Sequence, residues 1–521
     1  MNHGDESRQP VFGRRDVLQL LSATALVGLT GGPAFAQGAA SGGVLRVAAN
    51  ANPSSLDPAT GGAGSDLVFL YTLYDTLVEW DYETLKAKPG LAQSWAFPDP
   101  TTMVLTLRDG VVFHDGTPCD AEAVRFNLER ARKDPRSNIK ADLVNVAAVE
   151  VSGPNSVTLR LSQPDTALPL ILSDRAGMIA SPKAVEAMGK DHDRNPVGSG
   201  PWAFAGWADG ERITVKRNPR YWKSGRPLLE GIEFQIIPDG STSLRSAISG
   251  QTDVAYQLSE RQRPLIEKSK ALTLVSGPTL YAFQLYINYG RKPLNDVRVR
   301  QALNHAIDRR TFVDATMAGT GEPAYMCLPS AHWAFDKDVA TLSAYDPDKA
   351  KKLLAEAGYA DGIDLDLRGY NDQASVQRQE VLMEMFRKVG IRGRFVNGPI
   401  AEVSGRFFGA EKQGDLLLSA WTGRPDPSQA YALMFLEGAY FNSGRAAPPA
   451  GFAEALAESR RSSDLAERTA ALAKVQRIVM ENVLAIPLAF RFDIIAASGK
   501  VQGFRSNLLG KPKFEDVSMK A

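Results

Sequence analysis

The chain has 521 residues, too many for one hydrophobic core, so two or three domains are expected. Its 60 Lys and Arg nearly balance 59 Asp and Glu, which gives no electrostatic reason to expect nucleic acid or an anionic membrane as partner. With 44% hydrophobic and 23% charged residues, the composition is that of a soluble globular protein.

Residues 1–36 read as an export signal. Arg14 and Arg15 follow Gly13 and precede an apolar run over 17–29, and Ala34, Phe35 and Ala36 supply a small-x-small cleavage pattern. The paired arginines point to the twin-arginine route. Gly28, Gly31, Gly32 and Pro33 interrupt the run before the ~20 apolar residues a membrane span requires. Neither Cys119 nor Cys327 lies near the cleavage point, so no lipid anchor is expected and a soluble periplasmic protein should begin near Gln37. An oxidising compartment permits a disulfide, but two separate, locally packed thiols are the expected state.

The mature fold should open with a strand over 44–48, followed by a loop over 50–58 rich in Asn, Ser and Pro. Helical apolar spacing covers 66–78. Met103, Leu105 and Leu107 alternate, Asp109 and Gly110 can turn, and 111–113 would return as the second strand of a hairpin. Asp120 is a good N-cap for a helix with Ala121, Val124, Leu128 and Ala131 on one face. Another strand is expected over 157–161. The Gly-, Pro- and Trp-dense segment 195–207 suggests a domain crossing, and 213–215 and 232–236 read as strands rejoining the first sheet.

After Gly277 and Pro278, Tyr281, Phe283, Leu285 and Ile287 alternate as a strand. Asp296 and Asp346 each cap a helix, and Gly358 closes the second. A strand over 363–367, helices over 380–389 and 464–482 and a strand over 485–488 complete the pattern. Strands alternating with helices over both halves indicate an α/β fold with sheet cores.

The candidate site is the segment GDLLLSAWTGRPDP, residues 414–427. Its apolar run over 416–418 reads as a buried strand that ends in a loop, and in open α/β sheets ligands collect at such strand ends. Trp421 offers a stacking face and Arg424 a planar donor fork suited to a carboxylate. Thr422, Gly423 and Asp426 share this loop. Tyr281, Asn50 and Ser54 are further candidates, one from a nearby strand and two from the loop after the first strand. No catalytic constellation accompanies them: Gly198, Ser199 and Gly200 lack the spacing of a nucleophile elbow, and the run 61–64 lacks the Lys of a phosphate loop. There is no CxxC or HExxH and the five His are scattered, so no metal or cofactor is expected.

Four segments carry a family resemblance: TLRDGVVFHDGTPCDAEAVRFNLER (106–130), NPVGSGPWAF (195–204), KRNPRYW (216–222) and PLNDVRVRQALNHAIDR (293–309). In this order and spacing the chain resembles the family 5 extracellular solute-binding proteins of ABC importers, over about 44–504. The resemblance implies a two-lobed periplasmic-binding-protein fold with an extra subdomain, three domains in all, the first discontinuous. The implied divisions are 41–75 with 196–276 and 491–521, then 76–195, then 277–490, with hinge crossings near Gly277 and Phe490. The implied function is non-catalytic capture of a small-molecule or peptide-like ligand between the lobes, for delivery to the transmembrane subunits of an ABC permease by a monomer. Alternatives are a secreted hydrolase acting on peptides or glycans, and a nickel or haem receptor of the same family. In peptide-binding members the loop resembles GWTGD, whose Asp pairs with the peptide ammonium. Here Arg424 takes that place, which disfavours an ammonium and favours a carboxylate, a contact contributing roughly 1.5–3 kcal/mol.

Overall fold

In a computed structural model, residues 42–442 and 446–520 are described, so the expected export signal lies outside the described residues. The first strand, Val44–Ala49, runs parallel to Gly231–Ile236 on one side and Val254–Ala255 on the other. Leu45, Val47, Ala48 and Ala49 are all buried, the pattern of a parallel strand covered on both faces. Arg46 and Asp253 pair at 2.8 Å.

These strands belong to one mixed sheet. Edge to edge it runs Ile391–Gly398, Ile363–Tyr370, Leu416–Trp421, Leu272–Ile287, Ala485–Ser498, Val254–Ala255, Val44–Ala49, Gly231–Ile236, Arg212–Arg217 and Trp202–Ala208. Gly321–Pro323 pairs beside Ala485–Ser498. The two central strands pair with each other antiparallel, and their register slips between Pro278 and Ala282. On one side of the slip, Leu272, Ile494 and Ala496 belong to one hydrophobic core. On the other, Leu285, Ile287, Ile486 and Leu488 belong to the large core of residues 283–489. The chain therefore passes twice between two packed halves, on strands whose ladder breaks at the crossing, where a bend is easiest.

A separate four-stranded antiparallel sheet, ordered Ala92–Asp99, Thr102–Leu107, Ser156–Leu161, Val146–Gly153, has its own core. Met103, Leu105, Val157 and Leu159 contribute the sheet face, and Val124 and Leu128 of the helix Ala121–Lys133 cover it.

Several expectations needed correction. The strand Thr102–Leu107 pairs with its neighbours at 92–99 and 156–161; residues 111–113 form no hairpin with it, and Val112 makes only an isolated bridge to Pro118. Both crossing strands are longer than their alternating segments suggested, at 16 and 14 residues. Gly277 and Pro278, expected to precede the strand, lie within the first of these, beside the register slip that tolerates a residue without an N–H. The Asp N-caps expected at Asp120, Asp296 and Asp346 each accept from a backbone N–H in the first helical turn, and Asp464 does the same at the start of the helix Leu465–Glu481. Cys119 and Cys327 are unpaired and buried in different cores.

Candidate functional site

The strand Leu416–Trp421 is wedged between Leu272–Ile287 and Ile363–Tyr370, and Leu416, Leu417 and Leu418 are buried. Trp421, its last residue, pairs with Ala282. The chain then turns at Gly423, whose φ of 77° is left-handed and whose added Cβ would lie 2.4 Å from the Leu280 Cβ, so only glycine fits. Asp426 caps the helix Pro427–Phe435 by accepting from the Ser428 N–H at 2.9 Å. It also pairs with Arg468 at 2.7 Å and is fully buried. The loop is thus clamped at both ends, with Thr422 exposed and Arg424 half-buried in between.

Asp426 is a correction to the candidate set, because capping and the Arg468 pair leave its carboxylate no face for a solute. Ser54 is another: its hydroxyl donates to Asp66 at 2.6 Å and its N–H to the same carboxylate at 2.9 Å. Trp421 is buried rather than open, with its ring 5.2 Å from Phe441 in an edge-to-face contact and the Arg424 guanidinium 5.1 Å from its centroid. Tyr281 sits on the neighbouring strand, one residue before Ala282, the partner of Trp421. With Phe283, Tyr370, Ser375, Arg378 and Ser419 it lines a cavity of about 210 Å³. Asn50 lines another, of about 290 Å³, at the carboxyl end of the parallel strands; it donates to Gln257 at 2.6 Å, and its own carbonyl oxygen is buried without a partner.

Arg424 faces charged groups from the other half of the molecule. Its only hydrogen bond among the described residues goes from Nη1 to the Gly423 carbonyl at 2.8 Å. Across the gap stand Asp142 in the turn Lys140–Leu143, Asp174 at the start of the turn Arg175–Gly177, and Lys511 near the C-terminus. Burial works against the Asp174 charge, but Lys511 at 3.0 Å and Arg175 outweigh it and hold the carboxyl down at about 2. Burial also pulls the Lys511 ammonium down, with Asp174 opposing. Asp142 is pushed up by burial, and the charge that most strongly resists this is Arg424. All of these side chains are enclosed by protein yet half-buried rather than sealed off, as expected for groups lining a gap that a solute enters.

Direct bonds span the gap as well. Gln429 donates to Asp142 at 2.8 Å, Thr166 donates from N to the Arg460 carbonyl at 2.9 Å and from Oγ1 to the Ser462 carbonyl at 2.7 Å, and Arg460 lies 3.5 Å from Asp165. Sequence reasoning missed Asp142, Lys511, Gln429 and Arg378. Arg378 lies 3.8 Å over the Phe283 ring, with its Nε buried and unpartnered. No local pattern marks any of the four, because only the tertiary fold brings Asp142, Lys511 and Gln429 to the gap and Arg378 to the cavity beside Tyr281. Among the described residues no group of three or more His, Cys, Asp or Glu is placed to hold a metal, and no helix is long and apolar enough to cross a membrane.

Two packed halves joined by a pair of crossing strands, with charged side chains facing each other across the gap, define a protein built to enclose a solute. The chain belongs to the bacterial extracellular solute-binding proteins of family 5, whose model matches residues 86–443, and its role is that of the substrate-binding component of an ABC importer. A glutathione-binding protein, GsiB, from Salmonella paratyphi A is 31% identical, covering 88% of this chain and 91% of the relative. GsiB from Escherichia coli O157:H7 is 30% identical with the same coverage. Among solved structures, the periplasmic binding protein DppA of Helicobacter pylori in complex with peptide STSA matches with a TM-score of 0.80 and 24% identity, covering 92% of this chain and 98% of that one. A dipeptide-binding protein of Pseudoalteromonas in complex with Met-Leu matches with a TM-score of 0.78 and 24% identity, covering 91% and 100%. The fold is the two-lobed α/β fold of periplasmic binding proteins.

Proposed function

We propose that this chain is an exported, non-catalytic, monomeric receptor that encloses a small peptide-like solute bearing a carboxylate and delivers it to the transmembrane subunits of its permease. The observation that carries the carboxylate is Arg424: a half-buried guanidinium at the mouth of a rigid turn, with one hydrogen-bond partner among the described residues, its own neighbouring carbonyl. A planar fork held in this way retains donors for an anionic group. Trp421, Thr422 and Gly423 set its position, and Tyr281 and Asn50 line the cavities on either side of the crossing strands. The names of relatives that bind glutathione or short peptides agree with a peptide-like solute.

In this reading residues 41–75, 196–276 and 491–521 form the first domain, 76–195 the accessory subdomain and 277–490 the second lobe. The register slip at Pro278 and Ala282 supports a hinge at the crossing strands, on which the lobes close. Residues 1–36 direct export to the periplasm and are removed near Ala36. The test is incubation of the purified protein with peptide and glycan libraries, followed by mass analysis of both solute and protein. Recovery of one unaltered solute bound per chain is expected, and any turnover product overturns the receptor reading.

A further inference from the structure

A set of bonds that bridges the gap converges on one short connector. Residues 459–464 join the helix Phe452–Glu458 to the helix Leu465–Glu481, and from this connector the Arg460 side chain reaches both ways. Toward the second lobe, Nε donates to the Ser428 hydroxyl and Nη2 to the Ser428 carbonyl, each at 3.1 Å. Toward the accessory subdomain, Nη1 lies 3.5 Å from Asp165. The backbone of the connector takes part as well. The Arg460 carbonyl accepts from the Thr166 N–H at 2.9 Å, and the Ser462 carbonyl accepts from the Thr166 hydroxyl at 2.7 Å.

Both ends of this bridge are braced. Asp165 is buried, and its carboxylate accepts from Asn145 at 2.6 Å and from the Ala167 N–H at 3.3 Å. Ser428 is buried at the start of the helix Pro427–Phe435, where its hydroxyl donates to Asp426 at 2.6 Å. Arg468, the ion-pair partner of Asp426, donates in turn to the Ser459 carbonyl at 3.0 Å. The helix that Arg460 grips begins just after the Arg424 turn, so the connector, the turn and the accessory subdomain are tied through one guanidinium. The bridge itself is of a reversible kind. Two neutral hydrogen bonds to backbone carbonyls and one loose ion pair carry it, and water offers the same groups equivalent partners once the halves part. Thr166 and Arg460 are only half-buried, where water can replace them.

We propose that Arg460, Asp165 and Thr166 form a closure latch: they act through one another rather than on the solute, and by holding the accessory subdomain to the connector they fix the Arg424 turn when the halves are together. Arg460 is thus a positioning residue for solute capture. Favouring the closed arrangement lengthens the stay of whatever is enclosed, without adding a contact to it. The inference rests on the reading that the two halves close over a solute.

A measurement that needs no solute tests it. Spin labels at Lys133→Cys and Lys474→Cys, one in each half and both exposed, report the distance between the halves by pulsed electron resonance, and Cys119 and Cys327 are buried and take no label. The mature protein, refolded from denaturant to strip any solute, is expected to show a short and a long distance. Thr166→Val keeps the side-chain shape and deletes only the bond to Ser462, so the ratio of short to long should fall about fivefold. Thr166→Ser keeps the hydroxyl and should restore the ratio, and Asp165→Asn, which removes the charge facing Arg460, should lower it in the same direction. Thermal melting should show all three variants folded. Two distances whose ratio neither Thr166→Val nor Asp165→Asn alters overturn the latch and leave closure standing. A single distance, the same in wild type and variants, overturns the latch together with the reading that the halves close.

Discussion

Gln429 Nε2 donates to Asp142 Oδ1 at 2.8 Å and so joins residues 287 positions apart, on opposite sides of the gap. The bond exists only when the two halves approach, so it belongs to the closed arrangement. Receptors of this kind bind tightly in so far as closure is favourable, because an open-closed equilibrium scales the observed affinity. Gln429→Ala removes a hydrogen bond to a charged acceptor, with a net contribution of about 1.5–3 kcal/mol. Solute affinity measured by calorimetry should fall roughly ten- to hundredfold, mainly through faster release, while far-UV circular dichroism stays unchanged.

Arg424→Ala should weaken binding of the natural solute at least about tenfold, or about 1.4 kcal/mol. Stability should change little, because the only hydrogen bond lost among the described residues is the one to Gly423. Trp421→Ala behaves differently. Its ring is buried against Phe441, so thermal melting should show a clear loss of stability, about 3–5 kcal/mol, along with any loss of affinity.

Gly423→Ala tests the turn itself. With φ at 77° and Leu280 2.4 Å from the added carbon, the loop must shift to accept a methyl group. A destabilisation of about 1–3 kcal/mol is expected from the strain, with weaker solute binding as Arg424 is displaced. A lower melting temperature with full affinity would show that the loop can move without consequence for the solute.

Asp493 lies on the second crossing strand, opposite Gly277, and burial pushes its carboxyl up to about 6, with Arg491 opposing. Its native value is above the 3.8 of an unperturbed Asp, so between about pH 4 and pH 6 the folded chain binds more protons than the unfolded one. The contribution of this group to stability is therefore fully present below pH 4 and lost as pH rises through 6. Asp493→Asn removes the ionisation, and among the described residues the Asp493 carboxylate makes no hydrogen bond to be lost. Denaturant titration should find it more stable than wild type by about 1–3 kcal/mol at pH 8, with the difference vanishing near pH 4.

What the sequence revealed follows from the range of the interactions involved. The Asp caps at Asp120, Asp296 and Asp346 were legible because a cap is set by residues within one turn. The strand Leu416–Trp421 and its terminal loop were legible because an apolar triplet followed by Gly and Pro is a local signal. The error at 111–113 arose because a turn dipeptide indicates where a chain can reverse and not which strand it meets; the true partners are the preceding strand Ala92–Asp99 and the distant strand Ser156–Leu161. Asp426 resembled a ligand contact only because the sequence cannot show Arg468 beside it. Asp142, Lys511 and Gln429 carry no local mark, and their part in the gap exists only once three distant segments meet.

The most direct measurement is native mass spectrometry of the mature protein purified from its own periplasm, compared with Arg424→Ala prepared in the same way. The account predicts that the wild-type protein carries one small solute per chain, released intact on denaturation and bearing a carboxylate, and that the variant carries little or none. A wild-type solute lacking any acidic group, or equal occupancy in the two proteins, would contradict it.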